Sequence, residues 1–258
     1  MITKYRNESL SIVKKQLGSI LIVHYSSEGL NDNNEGYSPR ITSIVVHNLN
    51  SRISHSFSIH LEAEILKISK NDIDGKYDQL EKSMLRNFFD FVKNYTNYNW
   101  LHWNMRNIHY GFEMIEHRYK VLGANDDEII KIPDRKRFNI SDLIIDSYGE
   151  NAISHPRMAK LMNLNGGEPK GFLSGEDEAK AFKNKEYVKL HESTLSKIGW
   201  FRDIFILLIE KKIKTERSNW NIKAHNACDS VAIKIVGVIA SISGVCAVIV
   251  SVYHYFIG

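Results

Sequence analysis

The chain has 258 residues, 43% of them apolar and 25% charged, and carries a net charge of +4. That length and apolar content supply one sizeable core of about 200 residues plus an appendage, which excludes a disordered chain. So small a net charge excludes a polycation that coats nucleic acid with its whole surface, and two cysteines, Cys228 and Cys246, do not make a disulfide framework, which fits a reducing compartment.

The first residues, MITKYRNESLSIVKKQLG, are charged and lack an apolar core, so this N-terminal segment (1–17) does not read as a secretory signal. Ile20 to Ser26 is a continuous apolar run ending in small polar residues, the pattern of a central strand. After a polar loop come ITSIVVHN and then SHSFSIH, where Phe57 and Ile59 alternate with Ser56, Ser58 and His60; the three segments predict an antiparallel meander. Leu80, Met84, Leu85, Phe88, Phe91 and Val92 recur at helical spacing across Gln79 to Tyr95, and the strand-like NWLHW follows. His109 to Leu122 is again amphipathic. Beyond a loop at Pro133, short helices are expected near Ser141 to Tyr148 and Arg157 to Met162, with an N-cap at Ser174 in SGEDEAKAF. Glu186 to Lys214 reads as one long helix with an interruption at Gly199. Three strands, a helix, a strand and then helices predict an α/β fold with the first strand central.

The C-terminal end differs in kind. From Ile235 to Val252 no residue is charged, and YHYFI extends the run to Ile257. A helix needs roughly 20 apolar residues to cross about 30 Å of hydrocarbon, so 231–257 is expected to be a transmembrane helix in contact with membrane lipid. The residues 211–230 form a basic juxtamembrane linker containing Lys211, Lys212, Lys214, Arg217 and Lys223, with Lys234 beyond them, which places the body of the protein in the cytoplasm by the positive-inside bias. Gly237 with Ser241, and Ala240 with Gly244, have the small-xxx-small spacing that permits homo-oligomers through close helix pairing. A buried core helix is the plainer alternative for the same run.

Three stretches carry a resemblance. VHYSSEG at 23–29 resembles a VDxETTG-type strand motif, NMRNIHYGF at 104–112 is similar to an HNxxFD stretch, and YVKLHESTL at 187–195 is similar to a late helix with Tyr and Asp four apart. In that order they resemble the DEDD exonucleases of the ribonuclease-H-like fold, over roughly residues 18–205. The resemblance implies a mixed sheet flanked by helices for the domain 18–210, with nucleic acid or a nucleotide as partner. Asn104 and Tyr187 are kept, but the four carboxylate positions are occupied by His24, Ser26, His109 and His191. Carboxylates hold the two divalent ions of such a site, and imidazole is a poor ligand for magnesium, so ordinary exonuclease chemistry is not expected.

Two readings of the replaced site stay open. His24, His109 and His191, if they converge, form a three-imidazole set of the type that holds zinc or another transition metal and activates a bound water, with Tyr187 positioning that water and Glu113 orienting His109. Equally, they make an inert polar pocket in a pseudoenzyme that binds or senses nucleic acid. Trp103, Asn104 and Arg106 are the candidate nucleic-acid contacts. For the tryptophans of WLHW, core packing competes with base stacking. A defence-type membrane effector would suit the architecture.

Overall fold

The computed structural model describes residues 2–29, 38–106 and 110–217, with side chains from residue 8 onward. His109 and the expected transmembrane helix lie outside the described residues. Among the described residues, no helix is long and apolar enough to cross a membrane.

The centre is a five-stranded mixed sheet of order β3-β2-β1-β4-β5, formed by β1 (Ile20–Ser27), β2 (Ile41–Asn48), β3 (Ser54–Ser58), β4 (Asn99–His102) and β5 (Arg137–Asn139). β1, β2 and β3 pair antiparallel as the alternation predicts, whereas β4 runs parallel to both β1 and β5. A sheet covered on both faces needs strands apolar at every position. β1 is buried from Ile20 to Ser26, and β2 throughout.

Successive residues of β1 serve opposite cores. Leu21, Val23 and Tyr25 point with Ile44 and Val46 toward α3 (Tyr77–Lys93) and α4 (Phe112–Val121). On the other face, Ile20 and Ile22 point with Val45, Leu101 and Phe138 toward α5 (Ile140–Tyr148), α6 (Arg157–Leu164) and α8 (Tyr187–Ile209). Each fully buried Ile, Leu or Val contributes about 1.5–3 kcal/mol, so the two faces together hold the sheet as the middle layer of three. α8 lies across β1 and β2, presenting Leu190, Thr194, Lys197, Phe201, Ile204 and Leu208 along its buried side.

Several elements depart from the expected ones. In the N-terminal segment, α1 (Ile2–Lys15) packs on α5 and lays Val13 into the second core. SHSFSIH is not all strand, because α2 (Ile59–Ile65) starts directly after Ser58. Ser174 caps α7 (Gly175–Lys183) as read, accepting from the Asp177 amide at 3.2 Å. α8 is continuous through Gly199, held by its buried neighbours Ile198, Trp200 and Phe201, and it stops at Ile209 rather than Lys214. Helix α4 begins at Phe112, three residues later than His109.

A candidate binding cleft at the ends of β1 and β4

The pleat decides which side chains of β1 can reach a site. His24 and Ser26 alternate with Tyr25, so both point to the face covered by α8. Their partners on β2 are Val45 and Ser43, which share that face. Past Ser26 the register shifts, so that Ser27 pairs with Ile41, and the Glu28 amide still donates to Arg40 O at 2.8 Å. Parallel β4 ends alongside, followed by Trp103 and Asn104. The carboxyl ends of parallel strands are where open α/β sheets leave room for ligands. Here a cleft of about 620 Å³ opens, lined by His24, Trp103, Asn104 and Tyr110 from the sheet side and by Phe172 and Lys197 from the α8 side.

His24 forms the floor. It is 4% exposed, its Nδ1 lies 3.3 Å from the Tyr110 hydroxyl, and its ring meets the edge of Phe201 at 5.2 Å. Burial, and then the ammonium of Lys197, hold its pKa well below the ordinary value, so the ring is neutral. Burial pushes Tyr110 well above the usual phenol range, with help from Tyr25 and Glu178. A protonated phenol and a neutral imidazole share one hydrogen bond here, whose direction is set by the tautomer of the ring. Tyr110 also stacks on Tyr25 at 4.9 Å, and Tyr25 accepts the Gly111 amide at 3.1 Å, which fixes the chain entering α4.

His191 lies one step along the same sheet face. Its Nδ1 is 2.7 Å from Ser43 Oγ, and Ser43 pairs with Ser26, two residues from His24. Burial, and then His60, lower the pKa of His191 to about 4. The rings of His60 and His191 lie 5.1 Å apart, tilted by 54°. Ser26 Oγ is buried without a hydrogen-bond partner among the described residues. Thus His24 and Ser26 share one sheet face with Ser43, the hydrogen-bond partner of His191, while His109 lies outside the described residues. Among the described residues, no group of three or more His, Cys, Asp or Glu could hold a metal ion.

Other expected residues have structural duties. Tyr187 is 4% exposed and packs on Tyr77 and Phe182 in the opposite core, away from His24. Trp103 stacks on Phe201 at 5.8 Å with an interplanar angle of 5° and meets Trp200 edge-on; it borders the cleft while packing in the second core. Asn104 holds a left-handed backbone (φ 54°) and exchanges hydrogen bonds with Asn139, its amide reaching Asn139 Oδ1 at 3.0 Å. Arg106 is half exposed and paired with Asp142 at 2.5 Å. Glu113 is committed to Arg137, which also pairs with Glu116 and Asp134.

Lys197, Glu178, Tyr110 and Ser43 were not singled out in the sequence. For Lys197 a signal existed: with Leu190, Thr194 and Phe201 it occupies one stripe of α8, and a lysine on the core-facing stripe of a helix requires a partner. That partner, Glu178 Oε1, is 2.7 Å away.

No protein-family model, no curated protein and no solved structure matches this chain.

Proposed function

We propose that residues 18–210 form a ribonuclease-H-like domain, a degenerate relative of the DEDD exonucleases, that binds a nucleotide or nucleic-acid strand without cutting it by magnesium chemistry. The strand order β3-β2-β1-β4-β5, with a three-stranded meander and two parallel additions, supports this reading of the fold. The observation that carries the function is the cleft, which combines aromatic walls from Trp103, Tyr110 and Phe172 with polar groups from His24, Asn104 and Lys197. Aromatic faces accept bases by stacking, at about 1–3 kcal/mol per base. Neutral imidazole and hydroxyl groups where carboxylates would hold magnesium favour binding over hydrolysis. Fluorescence anisotropy of the full chain with labelled single-stranded oligonucleotides, in chelator and then in magnesium, tests the proposal. Binding that survives chelation, without shortening of the strand in magnesium, is the expected result; strand degradation above background would overturn it.

The further part of the proposal is a C-terminal anchor at 231–257 that keeps this domain on the cytoplasmic face of a membrane and pairs copies of the chain, an architecture suited to a defence-type effector. The uncharged run from Ile235 to Val252 and the basic residues before it support that part. A second reading, a phosphodiesterase using His24, His109 and His191 on zinc or another transition metal, is favoured by the shared sheet face of His24 and Ser43, the hydrogen-bond partner of His191. Metal analysis of protein purified without chelator, for wild type and His109→Ala, decides it: near-stoichiometric metal lost in the variant supports the second reading, and metal-free folded protein removes it.

A further inference from the structure

The cleft contains a cation that is already occupied. Lys197 belongs to the buried stripe of α8, with its side chain 7% exposed, and its Nζ lies 2.7 Å from Glu178 Oε1 and 5.3 Å from the centre of the Phe172 ring. Glu178, 13% exposed, also accepts the Ser193 hydroxyl at 2.9 Å. An ammonium so buried is tolerated only with a matching anion, so the pair ties α7 to α8. The pair also borders the cleft, on the same side of the sheet as His24.

Charge in the cleft follows from which element contributes each group. α7 brings Glu176, Glu178 and, at its last residue, Lys183 to the lining, the end of β1 brings Glu28, and the sheet and α8 bring His24, Asn104 and the buried Lys197. Glu176 is matched by Lys180 on α7 itself, at 2.8 Å. With Glu178 in place, an incoming anion meets a carboxylate seated on the buried cation of α8. Were α7 to lift, Lys197 would stay beside His24 with its charge uncompensated and directed at the cleft. The connection into α7 is suited to such a motion. Gly166, Gly167 and Gly171 all hold left-handed backbones (φ 115°, 86° and 82°), and Gly166 and Gly167 have no neighbour that an added Cβ would meet. Four polar contacts tie α7 and that connection to α8: Lys197 with Glu178, Ser193 Oγ with Glu178 at 2.9 Å, Ser193 Oγ with the Leu173 amide at 3.2 Å, and Ser196 Oγ with Lys170 O at 2.5 Å.

Resting on the reading of the cleft as a nucleotide site, we propose that Lys197 is its phosphate-recognising cation and that Glu178 holds the place of the ligand phosphate, giving it up when α7 lifts. A phosphate dianion offers the ammonium more charge and more acceptor oxygens than one carboxylate does, so the exchange needs no metal ion. Glu178 is thereby a specificity determinant: it lets in ligands with a terminal phosphate and keeps out those that cannot replace it.

The test uses the full chain in detergent with chelator present, and three probes: a 5′-phosphorylated deoxythymidine tetranucleotide, the same strand without the phosphate, and inorganic phosphate. The variants are Glu178→Gln and the double change Lys197→Gln with Glu178→Gln, which removes both charges together and leaves no unpaired buried ion; thermal melting establishes that each is folded. The expected result is tighter binding of the phosphorylated strand by Glu178→Gln, by about tenfold, the size of an ordinary coupling between two sites. The double variant should bind both strands alike, and addition of the phosphorylated strand to wild type should speed proteolysis between residues 165 and 175. Equal binding of the two strands by wild type, or weaker binding by Glu178→Gln, would overturn the role of Lys197 while leaving the cleft a nucleotide site. Binding of inorganic phosphate as tight as that of the strand would make the site one for the free anion and overturn the nucleotide assignment of this pocket. No binding of either strand by any folded form would overturn the reading of the cleft itself.

Discussion

His191 on α8 and Ser43 on β2 meet through a buried hydrogen bond of 2.7 Å between Nδ1 and Oγ, which ties the helix to the strand beside the cleft. The bond belongs to a neutral ring. Burial and His60 hold His191 at about 4 against an ordinary 6.5, and burial with Arg106 and Arg137 holds His102 at about 3. The unfolded chain takes up these protons first. The stability these rings contribute is therefore complete above about pH 6.5 and is lost as pH falls toward 4 for His191 and toward 3 for His102, at about 1.4 kcal/mol per pH unit for each ring. Urea unfolding midpoints should be level from pH 8 to 7 and fall steadily from 6.5 to 5, a window above most carboxylate titration. His191→Asn should flatten that fall. A midpoint unchanged between pH 7 and 5 would contradict the neutral-ring description.

On the opposite face a different buried pair holds the sheet to its helices. Glu81 of α3 is fully buried, and Arg118 of α4 reaches it twice, Nε to Oε1 at 2.9 Å and Nη2 to Oε2 at 2.6 Å. The Ile41 amide donates to the same carboxylate at 2.7 Å, so β2, α3 and α4 converge on Glu81. Arg118→Ala leaves that carboxylate, whose pKa burial already raises, without its main partner, and should cost about 3–5 kcal/mol. Glu81→Leu with Arg118→Leu, which removes both charges, should cost far less than the single change. Denaturant unfolding of the two variants is the check, and equal losses would show that the pair's charge is not what matters.

Magnesium should not support digestion of single-stranded DNA or RNA above background, since neither β1 nor α8 offers a carboxylate at His24, Ser26 or His191. Gel analysis of end-labelled strands is sufficient. Robust magnesium-dependent shortening, abolished by His24→Ala, would contradict the expectation and place catalysis at this cleft.

The full chain should sediment with membranes and resist alkaline extraction, because the uncharged run from Ile235 reaches the spanning length. A chain ending at Arg217 contains every described element and should stay in the supernatant. Release of the full chain by alkaline carbonate would remove the proposed anchor.

How far these features can be read in the sequence depends on how much of their context is local. β1, β2, α3 and α8 announce themselves because burial of one or two whole faces imposes period on many consecutive residues. β5 does not, since three residues, Arg137 to Asn139, are too few to show alternation and take their strand conformation from pairing with β4. α2 is hidden because SHSFSIH keeps alternating across Ser58, where strand passes into helix without a Gly or Pro between them. Gly199 looks like a break in the helix, yet its cost of about 1 kcal/mol is small beside the burial of Phe201 and its neighbours. In the site, the shared face of His24 and Ser26 follows from strand period alone. The contacts with Tyr110 and of Lys197 with Glu178 do not, because they join residues far apart in the chain through helices whose placement only the folded core determines.

The role proposed for the cleft requires a nucleic-acid strand to touch this protein there. The most direct measurement is photo-crosslinking of the full chain, in chelator, to a 5′-phosphorylated oligonucleotide carrying 4-thiothymidine near its phosphorylated end, with the modified residues located by mass spectrometry. The prediction is adducts on the walls of the cleft, at Tyr110, Trp103 or Phe172, competed away by unlabelled strand. Adducts confined to another surface, such as the cavity lined by His47, Arg52 and Arg202 at the far end of the sheet, or no competable adduct at all, would contradict it.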